Sequence, residues 1–467
     1  MSGIEDELIA QAWAALSADH TGVHPDPPAR VEIVGAAGRL PSRFFVEELA
    51  QATVAAALLA AAALSESRGA PVPTVRVDRG HVADAVRSER YFRAGGQPAG
   101  ASFAPLSRFW PAADGWVRTH ANYPWHRTAL LDTLGTREDE AAVASAIAGL
   151  PAADVEARVF AAGGIAAAVR TLDEWQAHLQ GEALAGEPLI AHRMIGDAAP
   201  SARARADRPA AGVRVLDFTR VIAGPVCTRF LGALGADVLR LDPPSHPDLP
   251  AGMVADSLLG KRSSFVDLDR AECVATLHEL LARADVVVCG YRPGALDRFG
   301  LDEGSLTERY PGIVVVYLDA WGHSGPWAGR RGFDSVVQAP TGIAMGESDA
   351  AAEPGALPCQ LLDHGTGYLA AAAVLDALRR QGAQGGTHVR RLSLARTAMW
   401  LTGQGRQPRR ATEPDARANA PEWLVELESP NGPVVAVSPP GALDGRPLQW
   451  PFAPTGYAGD DAAWPAA

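Results

Sequence analysis

The stretch VRVLDFTRVIAGPVCTRFLGALGADVLRLD, residues 213–242, decides the fold. Its opening, VRVLDF (213–218), is apolar on both faces and reads as a short buried strand. AGPVCTRFLGALG (223–235) has the spacing of a helix, with Gly235 suited to end it. ADVLRLD (236–242) is a second buried strand. A strand, a crossover helix and another buried strand imply a parallel pair. The alternation continues through SSFVDLD, a helix over 271–283, the strand ADVVVCGY (284–291), a helix near 294–299 and the strand GIVVVYLDAWG (312–322). The expectation is an α/β protein with a doubly wound parallel sheet. Such sheets bind ligands beyond the carboxyl ends of their strands. Here the turn through Ala223-Gly224-Pro225 opens a helix at that place, and its N-terminus favours an anion. The turn carries no G-x-G-x-x-G, so a nicotinamide or flavin is not indicated.

Outward from this sheet the composition changes. GDAAPSARARADRPAAG (196–212) and GQGRQPRRATEPDARANAP (403–421) read as linkers, rich in small residues, arginine and proline. Upstream, a disordered-looking start precedes an alanine-rich helix over 44–64 and the strand PTVRVD (73–78). DGWVRTHANY (114–123) reads as a strand of a smaller unit, with helices near 137–149, 153–162 and 171–182. After Pro439 the chain is rich in proline and glycine, and its tryptophans must pack on something.

The bulk properties exclude several function classes. At 467 residues the chain is long enough for two or more domains. It is 47% hydrophobic and 21% charged, as ordinary globular proteins are. A net charge of −12 argues against nucleic acid as a partner, because phosphate binding needs a concentrated basic face. The four cysteines are scattered without metal spacing, which fits a reduced cytoplasmic protein and no metal site. The acidic N-terminus lacks a signal-peptide pattern, and the apolar run TVAAALLAAAAL (53–64) is short of the roughly 20 residues that span a bilayer. No membrane partner is expected.

One carboxylate stands out. LLDHGTGYLAA (361–371) places Asp363 ahead of a small-residue turn and an alanine-rich helix. Two roles are open to it: a helix N-cap, or a nucleophile in a glycine-lined pocket.

Several blocks then resemble a known family in order along the chain. These are D-F-T-R-V-I-A-G-P, L-G-A-D-V-L-R-L-D-P-P, G-K-R-S-S (260–264), A-D-V-V-V-C-G-Y-R-P-G-A-L-D-R-F-G-L (284–301), Y-P-G-I-V-V-V-Y (310–317), G-H-S-G-P-W (322–327), G-F-D-S-V-V-Q-A-P-T-G (332–342) and V-R-R-L-S-L-A-R-T-A-M (389–399). Together, over 212–400, the chain resembles the family III CoA-transferases of the CaiB/BaiF type. The resemblance implies a Rossmann-like large domain and an acyl-CoA:carboxylate CoA-transferase. In that family an aspartate at the start of an alanine-rich helix attacks the acyl-CoA carbonyl, and Asp363 holds the matching place. Coenzyme A and its thioesters are then substrates, with a carboxylic acid as second partner and no permanently bound cofactor. The resemblance points to Val221, Ile222, Ala223, Arg262, Arg298 and Arg331 as CoA contacts, with Lys261 able to replace Arg262. Gly365 and Gly367 would let the backbone approach the thioester. The same fold hosts α-methylacyl-CoA racemases, which carry a histidine where this chain has Phe333; His364 is then the alternative base. A non-catalytic CoA-binding subunit is a third reading.

The order of parts departs from the family. The chain passes from Trp400 through a linker to WLVELESPNGPVVAVSPPG (423–441), which looks like a returning tail, while the likeness of the small domain lies upstream. Residues 46–86 echo residues 361–400, with Glu48 opposite Asp363, so a trimmed tandem duplication is expected. The expected division is a remnant of a first large domain (1–100), a small α+β domain (101–200), a linker (201–212), the CoA-binding large domain (213–402), a linker (403–421) and the tail (422–467). The assembly expected is a homodimer or an internal pseudo-dimer, with GQG (403–405) as the only glycine-rich candidate for a shielding loop.

Overall fold

A computed structural model describes residues 3–17, 26–98, 103–248, 251–349, 353–409 and 422–465, without the side chains of 251–253. Most of the linker expected at 403–421 lies outside the described residues.

Seven strands form the central sheet: β1 (Ala191–Ile195), β2 (Arg214–Phe218), β3 (Asp237–Asp242), β4 (Arg262–Phe265), β5 (Val286–Cys289), β6 (Val314–Asp319) and β7 (Thr387–Ser393). Their order is β4-β3-β2-β5-β6-β7-β1. Six run parallel; β1 joins the edge antiparallel to β7. Every residue of β5 is buried, as a parallel strand covered on both faces requires. Strand order reverses between β2 and β5, so a crevice opens at their carboxyl ends. The expectation of a parallel sheet holds, and β1 extends it with a segment that carried no strand signal on reading.

Five helices position the site: α1 (Ile4–Ser17), α2 (Val46–Ser67), α3 (Ala223–Ala233), α4 (Leu361–Gln384) and α5 (Leu394–Gly403). The alanine-rich α2 and α4 pack along one another, both buried over most of their length. Alanine gives each helix a thin surface, so the two backbones come close and neither needs a bulky neighbour. α2 is longer than the apolar run alone indicated; its length and composition would let it cross a membrane, but here it is buried inside the protein. The N-terminal segment, expected to lack structure, is helical. Leu8, Ile9, Ala12, Trp13 and Leu16 form one apolar face that α2 covers. The helix expected near 294–299 is a single 3₁₀ turn, Asp297–Phe299, ended by Gly300 in the left-handed region (φ 72°).

The rest of the chain folds around this block. A three-stranded antiparallel sheet (Phe109–Ala112, Gly115–Thr119, Ala166–Ala168) backs onto the helices Pro124–Leu134, Glu140–Ala148 and Ala152–Ala161. It has its own core of Trp110, Val117, Ile147, Val155 and Val159. The helix expected over 171–182 is two helices, Leu172–Gln176 and Leu179–Ala185, the first opened by a Thr171–Glu174 capping box. Strands from the two ends of the chain complete each other. Val31–Val34 and Val75–Asp78 continue into Ala442–Leu443, and Arg93–Ala94 pairs with Val434–Val437. The late tryptophans find their places: Trp450 covers Gly260 and donates to the Arg229 carbonyl, while Trp464 donates to the Leu280 carbonyl.

Candidate active site

The carboxyl ends of all six parallel strands open on one cavity of about 510 Å³. Phe218 and Arg220 come from β2 and its turn, Leu241 and Asp242 from β3, Val266 and Asp267 follow β4, Gly290 and Tyr291 follow β5, Leu318 and Asp319 end β6, and Leu394 follows β7. The upstream three-stranded unit supplies the facing wall through Tyr123, Trp125 and His126. Three contacts fix that wall. The Tyr123 hydroxyl donates to Asp248 (2.5 Å), the Trp125 ring meets His246 edge-on, and the Arg220 guanidinium lies over the Tyr123 ring. A smaller chamber of about 90 Å³ adjoins the cavity, walled by Phe103, His120, Pro225, Val226, Ser335 and Gln360 among others. Four residues line both spaces: Tyr123, Val221, Phe333 and Asp363. Among the described residues Asp363 is the one carboxylate that does so.

The fold explains why this carboxylate is available. α4 begins at Leu361, so His364-Gly365-Thr366-Gly367 lies within the helix and forms no turn. Asp363 sits in the first turn and does not cap the helix. That task belongs to Asp334, whose buried carboxylate accepts the backbone N–H of Asp363 at 3.0 Å and the side-chain amide of Gln338 at 2.5 Å. The N-cap reading of Asp363 is thereby corrected. With its own backbone satisfied by a neighbour, its carboxylate faces the cavity. Burial raises the Asp363 pKa well above the ordinary range, and the nearby carboxyls of Asp334 and Glu89 add to this. Burial likewise raises Asp334.

The expected contacts divide. Val221 and Ala223 line the large cavity, and Val221 and Ile222 the small one. Val221 is in the left-handed region (φ 67°), costly for a β-branched residue, and its N–H donates to Asp248 at 3.2 Å. Arg331 and Arg298 line the large cavity, the latter exposed and paired with Asp269. Arg220, Arg292 and Arg330 line it too, although none was singled out; the R-P-G block already displayed Arg292. Arg331 and Arg292 have no carboxylate partner among the described residues, which leaves their charge for a ligand.

Five expected residues stand elsewhere. Lys261 is fully buried and bonds Asp217 at 2.9 Å, so it offers nothing to a ligand. Burial lowers its pKa to about 8. Arg262 opens β4 at the opposite end of the sheet, bonded to Asp237 and to the Ala463 carbonyl. His364 turns into the protein and meets Glu89 at 3.3 Å. Gly365 and Gly367 line neither space; Gly367 instead admits α3, since a Cβ there would lie 2.5 Å from the Ala223 carbonyl oxygen. Phe333 is at the site, as expected, but two histidines flank it. The His120 ring stacks on it at 4.0 Å and His126 meets it at 6.1 Å. Burial holds His126 down to about 4 and His120 well below its ordinary value. His120 lies in the stretch DGWVRTHANY, read only as a strand of the smaller unit, and neither histidine was singled out. Gly403 ends α5, and GQG lines neither space.

Comparison with known proteins gives a family and several relatives. A family model described as CoA-transferase family III matches residues 210–423. An acetyl-coenzyme A transferase of Hypoxylon pulicicidum is 36% identical over 208 residues, covering 43% of this chain and 35% of that protein. A formyl-CoA:oxalate CoA-transferase of Bradyrhizobium diazoefficiens is 32% identical over 178 residues, covering 36% of this chain and 42% of that protein. The crystal structure of Rv3272 from Mycobacterium tuberculosis is 33% identical, covers 42% of this chain and 56% of its own, and has a TM-score of 0.40. The chain thus spans about half or less of the length of the curated relatives it matches. Over residues 210–423, somewhat under half of its length, the chain is similar to CoA-transferase family III.

Proposed function

We propose that this chain is an acyl-CoA:carboxylate CoA-transferase in which Asp363 is the covalent nucleophile. The observation that carries the reading is the position of Asp363 at the junction of a large cavity and a small one. The large cavity takes the CoA moiety, with Arg331, Arg292 and Arg220 toward its phosphates, and the small one takes the acyl group. In the first step an Asp363 carboxylate oxygen attacks the thioester carbonyl carbon. The carbonyl π pair moves to oxygen, and its return breaks the C–S bond, leaving an aspartyl anhydride and CoA thiolate. The thiolate then attacks the aspartyl carbonyl, releasing the first acid and leaving an aspartyl thioester. The acceptor carboxylate repeats both steps in reverse order. A closed pocket serves this chemistry because water would hydrolyse either intermediate.

The site's walls come from the upstream unit and the central sheet of one chain, which supports an internal pseudo-dimer with a trimmed duplication behind it. A reduced, cytoplasmic setting suits the reading. Proton exchange at the acyl α-carbon has weaker support, because the imidazoles beside Phe333 are poor bases at the pKa directions given above. The test is mass spectrometry of the protein incubated with a panel of acyl-CoAs and quenched with hydroxylamine. A modified peptide carrying Asp363, absent in Asp363→Asn, is the expected result. An unmodified Asp363 with every acyl-CoA that binds would refute it and favour a binding subunit.

A further inference from the structure

A carboxylate attack on a thioester builds negative charge on the carbonyl oxygen, and something must donate hydrogen bonds to it. The N-terminus of α4 is the obvious source, but it is occupied. The N–H groups of Leu362 and Asp363 are both engaged by the Asp334 carboxylate. Arg229, which also lines the small chamber, is committed to Asp256 at 2.7 Å and to Ser88. Two buried donors on the chamber wall, His120 and Ser335, have no partner among the described residues. His120 is 5% exposed, and its buried Nδ1 has no partner residue. Ser335 is 9% exposed, and its buried hydroxyl has no partner either. Both line the same small chamber as Asp363. A buried polar group without a partner is costly, and on a cavity wall a ligand can satisfy it.

Both side chains are also held in place. The His120 backbone N–H donates to the Ile165 carbonyl, and its ring is stacked on Phe333 (4.0 Å, 17° between planes) and meets Phe103 edge-on. Ser335 lies in the short helix Asp334–Val337, next to the residue that caps α4. We infer that His120 and Ser335 together donate hydrogen bonds to the acyl carbonyl oxygen as it becomes an oxyanion during attack by Asp363. The inference rests on the proposed transferase reading. No proton is transferred. The imidazole N–H and the serine O–H hold the oxyanion while the C–O bond to Asp363 forms, and release it when the C–S bond breaks.

The test is the single-turnover rate of Asp363 acylation, read by quenched mass spectrometry with acetyl-CoA, succinyl-CoA and longer acyl-CoAs. Dissociation constants for CoA itself are measured alongside. His120→Phe keeps a ring on Phe333 and removes the donor. It should slow acylation on the order of 100-fold with CoA affinity unchanged. His120→Gln restores an N–H and should recover at least about tenfold of that loss, which a packing role would not do. Ser335→Ala should slow acylation on the order of 10-fold or more. Should His120→Phe fail to fold, Ser335→Ala and His120→Gln decide. Acylation of Asp363 at the wild-type rate in these variants overturns the inference and leaves the nucleophile standing. Absence of acylation in the wild type overturns the transferase reading, and this inference with it.

Discussion

Gly365 and Gly367 stand two residues apart on α4, and the structure assigns them opposite responses to the same added methyl group. At Gly367 an alanine Cβ would sit 2.5 Å from the Ala223 carbonyl oxygen and 2.8 Å from Val226 Cβ, where backbone must move. At Gly365 the nearest atoms are side-chain methyl groups of Leu49 and Thr53, both at 3.6 Å, an ordinary contact. Replacing a helical glycine by alanine gains about 1 kcal/mol of helix propensity at either site. Forcing a methyl into a tight contact costs about 1–3 kcal/mol, toward the upper end when the neighbour is a carbonyl that cannot rotate away. Gly365→Ala should therefore stabilise by about 1 kcal/mol and Gly367→Ala destabilise by about 2 kcal/mol, a spread of about 3 kcal/mol. In urea, with a slope of about 3 kcal/mol per molar, the two midpoints should differ by about 1 M. Tryptophan fluorescence reads the transition. A Gly367→Ala midpoint at or above that of the wild type would refute the close packing of α3 on α4. The same variant moves the turn at Val221–Ala223, so acylation of Asp363 should slow even where the protein remains folded.

Four more outcomes are expected. Because burial and mutual repulsion raise the pKa values of Asp363 and Asp334, acylation should accelerate as pH rises; Asp334→Asn removes one charge and should shift that profile to lower pH, measured by the quenched-label rate. The same raised carboxyls mean that the folded chain holds protons the unfolded chain releases. Stability should fall as pH climbs above the ordinary carboxyl range, more steeply in the wild type than in Asp334→Asn, as urea midpoints between pH 4.5 and 7.5 would show. Lys261→Met strands the buried Asp217 carboxylate and should cost about 3–5 kcal/mol, largely recovered in a double variant with Asp217→Asn; equal midpoints for Lys261→Met and wild type would refute the buried pair. Arg331→Ala should weaken CoA binding more than Arg298→Ala, because Arg298 is already paired with Asp269 at the surface; calorimetric titration with CoA decides, and equal losses would refute the ranking.

The core strands of the central sheet were legible because they are short β-branched apolar runs bounded by turn residues and spaced by helical stretches. Asp363 was legible as a position, and its surroundings were not. Its cap, Asp334, lies far away in sequence, and only folding brings that carboxylate to the start of α4. Lys261 and Arg262 are adjacent charged residues in a glycine-flanked block, and sequence alone gives no sign that one is buried in an ion pair while the other points to the far end of the sheet. Gly367 illustrates a further limit. A glycine beside a candidate nucleophile suggests room for substrate, yet here it makes room for a neighbouring helix. His120 lies in a stretch legible only as a strand; the three-stranded unit carries it to Phe333, and no local pattern announces that meeting.

The pairing of α2 with α4 has a consequence in time. α2 is an alanine-rich helix with no charged residue between Glu48 and Glu66, and the helix that covers it is made roughly 300 residues later. At about 5–20 residues per second, that is an interval on the order of 15 to 60 s. During it the strands Val31–Val34 and Val75–Asp78 also wait for Ala442–Leu443. The nascent chain therefore carries a long adhesive segment throughout that interval, and its yield in a cell depends on what holds that segment until α4 arrives.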